Sequence, residues 1–151
     1  MESVYQFFIE YGYLGMGLAA FLAGTFVPFN SELVLGALVA DATLDPFKVI
    51  IYGTVGNVAG TVFNYYIGRF WDVETISRRM RIKEKRLLKT KEYVEKKGSW
   101  IALFTFLPIF GSAIAIALGI LRANVLGVTF FSFVGKFARY VIVAMMAMAI
   151  F

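Results

Sequence analysis

Glu32 is a lone charged side chain in a long apolar stretch, residues 11–40. An ionisable group at membrane depth is costly and is by default a sign of function. Asn30 or Ser31 can cap a helix that begins here, which would place Glu32 in its first turn, near the positive end of the helix dipole. Two interpretations stay open: Glu32 is a capping carboxylate at a wet helix start, or it is a protonatable or substrate-organising group.

Cationic side chains interrupt another apolar stretch, residues 123–151. Their spacing places Lys136 and Arg139, or its neighbour Tyr140, on one helix face. Two cations one turn apart need anionic partners when they face hydrocarbon. Glu32 supplies one negative charge, so the positive surplus predicts a site for a phosphate-bearing headgroup. The alternative is a structural ion pair with Glu32 or with a second subunit.

A stripe of small and polar residues follows one face of residues 47–71, at steps of three or four: Gly53, Gly56, Asn57, Gly60, Asn64 and Gly68. Small residues let helix backbones approach closely, so packing explains the glycines. Amides that face lipid lack hydrogen-bond partners. We therefore expect Asn57 and Asn64 to face a hairpin or a cavity.

The composition places these residues in a membrane. Of the 151 residues, 60% are hydrophobic and 17% are charged, and the mean hydropathy is +0.74, whereas about 25% of a soluble domain is charged. The chain has no Cys and no His, which removes thiol chemistry and the commonest general base and metal ligand. Hydrolytic enzymes are therefore poor candidates, and we expect no catalytic residue, metal or cofactor.

Four apolar stretches must position the polar groups: residues 11–40, 47–71, 99–121 and 123–151. The first is broken at Pro28 and the third at Pro108, and Gly111 and Ser112 after the second break form an open helix start with backbone N–H donors for an anion. The limbs are residues 12–27 and 32–40, and 99–107 and 113–121. Limbs of nine or ten residues reach about half of the roughly 30 Å hydrocarbon core. They predict two re-entrant hairpins, and a Pro-kinked single span is the alternative.

Residues 72–98 hold the whole positive excess of the chain, with ten Lys and Arg against five Asp and Glu. By the positive-inside rule this segment is cytoplasmic. Its apolar positions, among them Val73, Met80, Leu87 and Val94, predict an amphipathic basic helix on an anionic leaflet. A coiled-coil seam is the rival, and we expect no nucleic-acid partner.

The two halves of the chain follow one pattern of hairpin, short loop and long helix, with opposite orientations. The first runs over residues 11–71 and the second over residues 99–151, and 28 positions separate Pro28 from Gly56 while 27 separate Pro108 from Gly135. Paired broken segments are typical of inverted-repeat transporters with a site at the bilayer midplane. We therefore predict an all-α integral membrane protein with a single domain over residues 1–151.

Four sequence blocks in this order resemble the DedA superfamily, also known as the VTT or SNARE-associated Golgi protein domain, and most closely its short bacterial YqaA-like branch. The blocks are Pro28-x-Asn-Ser31-Glu32, Gly56-Asn57-x-x-Gly60-x-x-x-Asn64-Tyr65-x-x-Gly68-Arg69, Leu107-Pro108-x-x-Gly111 and Gly135-Lys136-x-x-Arg139-Tyr140. The resemblance implies two opposed re-entrant hairpins and a role in moving lipids across the bilayer. It also matches Glu32 to the family's acid in the first hairpin.

The second hairpin departs from the family pattern, because Ser112 follows Gly111 where related sequences tend to carry an acid. A proton-coupled mechanism with two facing acids is therefore not expected. Lys136 and Arg139 take the anion-binding role instead.

These observations predict a transporter or scramblase of the cytoplasmic membrane that moves phospholipid or polyprenyl phosphate without chemistry. Its expected partners are membrane lipids with anionic headgroups, and a homodimer is left open. Two rivals remain: a small proton- or cation-coupled antiporter in which Glu32 titrates, and a structural scaffold that uses the basic helix.

Overall fold

The computed structural model describes residues 7–25, 30–41, 44–71, 78, 83–107 and 110–150. Beyond a helical segment at residues 7–10, its elements are α1 (Gly12–Gly24), α2 (Ser31–Ala40), α3 (Pro46–Arg69), α4 (Glu84–Lys97), a 3₁₀ helix (Gly98–Phe106), α5 (Phe110–Ile120) and α6 (Val125–Ile150). Every regular element in these ranges is helical, which confirms the all-α prediction. Pro28 and Pro108, the predicted breaks, lie outside the described residues.

Helices α1 and α2 form a helical hairpin. The backbone N–H of Asp45, which follows α2, donates a hydrogen bond of 2.9 Å to the hydroxyl of Tyr13 at the beginning of α1. The Tyr13 ring also stacks on Tyr52 of α3, with 5.5 Å between ring centroids. The end of α2 therefore returns to the beginning of α1.

The 3₁₀ helix and α5 form a second helical hairpin. Its outgoing end is a turn in which Arg122 adopts a left-handed φ of 57° and Ala123 N–H bonds to the carbonyl of Leu118. The Tyr65 hydroxyl near the end of α3 donates to the Ala123 carbonyl. Val94 of α4, which precedes the first limb of this hairpin, is buried in one apolar cluster with Tyr65 and Ala123. Both ends of this hairpin thus lie beside the C-terminal end of α3.

The first limb of the second hairpin is a 3₁₀ helix and not the α-helix that the apolar pattern suggests. Residues three apart lie in one row along a 3₁₀ helix. Ser99, Ala102 and Thr105 form such a row, and they face Gly127 and Ser132 of α6. The tighter winding therefore directs small side chains at three-residue spacing against one long helix.

The long helices α3 and α6 contact each other and connect the two hairpins. Helix α3 packs against α1 and α5, and α6 packs against the 3₁₀ helix and α2. Each hairpin thus places its first limb on the long helix of its own half and its second limb on the long helix of the other half.

Apolar side chains form two clusters at opposite ends of α3. The first cluster includes Met16, Leu35, Val49 and Tyr140, and the second includes Tyr65, Val94, Ala102, Leu118 and Val128. The buried polar residues of α3 and α6 lie along the chain between the cluster members of their own helix. They are Thr54, Asn57, Thr61, Asn64, Ser132 and Lys136. A polar layer therefore separates the two apolar ends.

Among the described residues, Val125–Ala149 of α6 is the one segment long and apolar enough to cross a membrane, and α1, α2 and α5 are shorter apolar helices. Helix α3 has 24 residues, about 36 Å at 1.5 Å per residue. Its Asn, Thr and Gly residues lower its hydropathy. The crossing by α3 therefore stays a prediction.

The basic segment is described as helix α4 from residue 84 onward, together with Arg78. Val73, Met80 and the side chain of Leu87 lie outside the described residues. Val94 is buried in the second apolar cluster and packs against Gly98. Val94 therefore packs α4 against the second hairpin and is not exposed to an anionic leaflet, contrary to the amphipathic-helix prediction.

Candidate functional site

Most of the polar residues singled out in the sequence lie in the layer between the two apolar clusters or, like Tyr140 of the first cluster, beside it. They come from both hairpins and both long helices: Asn30, Ser31, Glu32, Asn57, Asn64, Ser112, Lys136, Arg139 and Tyr140.

Lys136 is buried, with 5% of its surface exposed. Its ammonium group donates to the side-chain oxygen of Asn57 on α3. The Asn57 amide nitrogen in turn donates to the Ala20 carbonyl of α1 at 2.9 Å. Both ends of the Asn57 amide are therefore occupied by the protein, and this residue holds Lys136 in place.

Arg139 joins three elements. Its Nη2 forms an ion pair with Glu32 at the beginning of α2, and its Nη1 donates to the Phe106 carbonyl at the end of the 3₁₀ helix at 2.6 Å. About a third of each side chain in the pair is exposed. Asn30 is the N-cap of α2 and accepts from the Glu32 N–H at 3.0 Å. The first turn of α2 therefore positions Glu32 as the sequence predicts.

One turn of α2 and one turn of α6 are also joined by hydroxyl groups. The Ser31 and Tyr140 hydroxyls lie 2.8 Å apart, and both residues are buried. This contact lies next to the Glu32–Arg139 pair in the sequence of both helices. The contact helps to hold the beginning of α2 beside the turn of α6 that carries Arg139 and Tyr140.

The inner ends of the two hairpins touch. Ser112 of α5 donates from its hydroxyl to the Thr25 carbonyl, just after α1, at 2.8 Å. Asn64 of α3 donates from its amide nitrogen to the Gly24 carbonyl at 3.0 Å, while its buried side-chain oxygen has no hydrogen-bond partner. The end of α1 is thus held by polar groups of α3 and α5.

The structure shows the state of one of the two N–H groups in the open helix start expected at Gly111 and Ser112. Helix α5 begins at Phe110, and the Gly111 N–H already donates to the Leu107 carbonyl at 2.9 Å. Since that N–H is satisfied within the hairpin, it is not available to an anion.

The charges of the layer do not balance. Glu32 and Arg139 neutralise each other, whereas Lys136 has no carboxylate within salt-bridge distance among the described residues. Burying an ammonium group beside a neutral amide leaves much of its lost hydration uncompensated. An anionic ligand would therefore stabilise the charged form of Lys136 and supply the partner that its ammonium group lacks.

The glycine stripe of α3 lies at two close helix contacts. A Cβ at Gly56 would stand 2.1 Å from the Gly17 carbonyl oxygen of α1, and one at Gly68 would stand 2.0 Å from the Ile116 carbonyl oxygen of α5. Gly60 meets the α1 backbone in the same way, with a Cβ 2.5 Å from the Phe21 carbonyl oxygen, whereas Gly53 packs against the Met16 side chain. These approaches bring the hairpin backbones within reach of Asn57 and Asn64.

A pair of threonines was missed by the sequence interpretation. Thr25 and Thr105 each donate from their hydroxyl to the carbonyl three residues before, both at 2.7 Å, at the end of the first limb of their hairpins. Thr105 also reaches the Ser132 hydroxyl of α6 at 3.1 Å. The repeated tetrapeptides Thr-Phe-Val-Pro at residues 25–28 and Thr-Phe-Leu-Pro at residues 105–108 would have revealed them.

Comparisons with known proteins find one matching family and several relatives. The VTT domain family matches residues 27–148. The inner membrane protein YqaA of Escherichia coli is 30% identical over 126 residues, covering 83% of this chain and 84% of that protein. No solved structure matches the chain.

Other relatives carry names that bear on function. Undecaprenyl phosphate transporter A of Staphylococcus aureus is 24% identical, covering 89% of this chain and 71% of that protein. An alkaline phosphatase-like protein of Lactococcus lactis is 27% identical, covering 78% of this chain and 61% of that protein.

Proposed function

Because the chain belongs to the VTT domain (DedA) family of membrane proteins, we propose that it moves phosphate-bearing lipids across the cytoplasmic membrane without changing them chemically. The observation that carries this proposal is the buried ammonium group of Lys136, which is held by Asn57 and lacks a carboxylate partner in the described residues.

The chemistry of the site suits a phosphate group. Phosphate oxygens accept charge-assisted hydrogen bonds from Lys and Arg. Lys136 supplies an uncompensated ammonium, and Arg139, one turn along α6, has a guanidinium that remains about a third exposed. A lipid headgroup at this place would interact with both cations while its chains stay in the hydrocarbon.

The arrangement of the hairpins supports an inverted repeat. The first limbs pack on the long helix of their own half, and the second limbs pack on that of the other half. Corresponding residues also take corresponding places: Thr25 and Thr105 end the first limbs, and Asn57 and Lys136 face each other. In our proposal the hairpins are re-entrant from opposite sides, with residues 72–98 on the cytoplasmic side.

This topology gives the lipid a shortened path. A ten-residue helix such as α2 is about 15 Å long, half of the roughly 30 Å core. Two such hairpins meet through Thr25 and Ser112. Their polar groups then lie near the middle of the hydrocarbon core, where the free-energy barrier for a charged headgroup is highest. The layer around Lys136 and Arg139 then replaces part of the headgroup's hydration.

The names of the relatives favour transport over catalysis. A relative that carries the name undecaprenyl phosphate transporter matches 89% of this chain. The alkaline phosphatase-like name of another makes phosphate release the activity to be excluded. Our proposal is that the lipid leaves the protein with its phosphate ester intact.

The proposal is tested in liposomes that contain the purified protein and fluorescent or radiolabelled lipids. Transbilayer movement of a phospholipid or a polyprenyl phosphate is expected with the wild type and is expected to fall at least tenfold with Lys136→Met and Arg139→Gln. Lys96→Met, at an exposed lysine of α4, serves as the matched control and should keep full activity. Inorganic phosphate released from the lipid is measured in the same samples.

The rivals give different results in this experiment. Unchanged distribution of both lipid classes in the presence of intact protein would contradict the proposal. Proton flux seen with a pH dye, without lipid movement, would favour the antiporter with Glu32 as its titrating group. Release of inorganic phosphate would favour an enzyme.

A further inference from the structure

The polar layer holds three charged side chains, Glu32, Lys136 and Arg139. The acids and bases that flank the described apolar elements lie at their ends, such as Asp45 before α3 and Arg69 at its last turn. Among the residues that the structure describes, these three therefore set the net charge that a ligand meets inside the layer.

Glu32 decides how much positive charge the layer offers. Its carboxylate occupies one amino group of Arg139, and the Phe106 carbonyl occupies the other. Lys136 receives only the neutral oxygen of Asn57. With Lys136 protonated against a bound anion, the layer presents one unit of positive charge, and a neutral side chain in place of Glu32 would leave two.

From this count, and resting on the proposed function, we infer that Glu32 selects the charge state of the lipid phosphate. Of the two lipid classes in the proposed function, the site takes the monoanionic phosphodiester of a phospholipid in preference to the dianionic monoester of a polyprenyl phosphate. A phosphodiester carries one negative charge and neutralises the layer. A phosphomonoester at pH 7 carries nearly two, because its second pKa is about 6. The second negative charge of the monoester would be repelled by the Glu32 carboxylate. This repulsion is strong in the polar layer because little water is present to screen it.

The selection is tested by binding two lipids that differ only at the phosphate. The probes are phosphatidic acid, a monoester, and phosphatidylmethanol, its methyl diester, with the same acyl chains in detergent micelles at pH 7. The wild type is expected to bind the diester about tenfold more tightly, a difference of about 1.4 kcal/mol. Glu32→Gln keeps an oxygen for Arg139 but removes the charge, so the ratio is expected to shift by tenfold or more toward the monoester.

Two further variants check that charge and not shape is responsible. The double variant Glu32→Gln with Arg139→Gln returns the layer to one positive charge, and preference for the diester should return with it. Glu92→Gln makes the same change of charge at an exposed carboxylate of α4 and should leave the ratio unaltered. Thermal unfolding in detergent establishes that each variant is folded, and the double variant decides the matter if Glu32→Gln alone does not fold.

The outcomes separate this inference from the function on which it rests. Equal diester-to-monoester ratios in the wild type and in Glu32→Gln, with both lipids bound, would overturn the role of Glu32 and leave lipid binding intact. Loss of the diester preference in the double variant would overturn it as well. Absence of binding of both lipids to the wild type would overturn the proposed function itself.

Discussion

Lys136 donates a hydrogen bond to the side-chain oxygen of Asn57, 79 residues earlier in the chain. The same offset separates Gly56 from Gly135, so the two partners hold corresponding positions in the two halves. Asn57 passes the contact on to the Ala20 carbonyl. One amide therefore joins α1, α3 and α6 at the point where the two long helices meet.

The first prediction concerns the cost of burying Lys136. Lys136→Met removes an ammonium that has no carboxylate partner in the described residues, and methionine fills a similar volume. The lost hydrogen bond to Asn57 costs about 1 kcal/mol, which the removed desolvation penalty offsets. We expect the unfolding temperature in detergent to stay within a few degrees while binding of phosphate lipids falls at least tenfold. A large loss of stability together with unchanged lipid binding would assign Lys136 a structural role.

The second prediction concerns Asn57. Asn57→Asp would place a carboxylate against Lys136 and neutralise the layer from within, so lipid binding is expected to fall at least tenfold. The fold should persist, since an ion pair replaces one hydrogen bond while the donor to Ala20 is lost. Binding and thermal unfolding are measured on the same sample.

A matched control for that variant exists at Asn124, an exposed residue whose side-chain oxygen caps α6 by accepting from Leu126 N–H at 3.0 Å. Asn124→Asp keeps the accepting oxygen and adds the same charge away from the layer. It should leave lipid binding unchanged. If both substitutions reduce binding equally, net charge and not the neutralisation of Lys136 is responsible.

Much of the first hairpin could be predicted from the sequence because local rules determine it. Pro28 interrupts the apolar stretch, and Asn30 has a side chain that caps a helix start. Both the N-cap and the position of Glu32 in the first turn follow from these two residues. The second hairpin was less accessible. Its 3₁₀ winding depends on small residues of α6 opposite Ser99 and Ala102, a tertiary contact that hydrophobic periodicity does not contain.

The partners within the layer were also beyond sequence reasoning. Spacing showed that Lys136 and Arg139 share a face, yet Glu32 was an equally good partner for either. The structure gives Glu32 to Arg139 and gives Lys136 to Asn57. Glu32 pairs with Arg139 because of the way α2 packs along α6. The Ser31–Tyr140 contact, one residue from Glu32 and Arg139 on each helix, holds the two helices in this register. The location of polar residues is thus a local property, while their pairing depends on packing.

The third prediction concerns the glycines between helices. Gly56→Ala places a methyl group 2.1 Å from the Gly17 carbonyl oxygen, so α1 must move away from α3, at a cost of about 1–3 kcal/mol or more. Gly36→Ala is the control, since nothing lies within 4 Å of the added carbon and alanine favours the helix by about 0.5–1 kcal/mol. Unfolding in detergent should give a lower midpoint for the first and an equal or higher one for the second. A neutral Gly56→Ala would show that the helices are not in close contact.

The fourth prediction concerns the sidedness of the hairpins, and the natural absence of cysteine makes it clean to test. If the first hairpin is re-entrant, Glu10→Cys and Asp41→Cys react with a membrane-impermeant thiol reagent from the same side of oriented vesicles. If the second is re-entrant, Lys96→Cys and Arg122→Cys both react from the opposite, cytoplasmic side. Two kinked full spans would instead separate Glu10 from Asp41 and Lys96 from Arg122. That separation would contradict the opposed hairpins and with them the shortened path for the lipid headgroup.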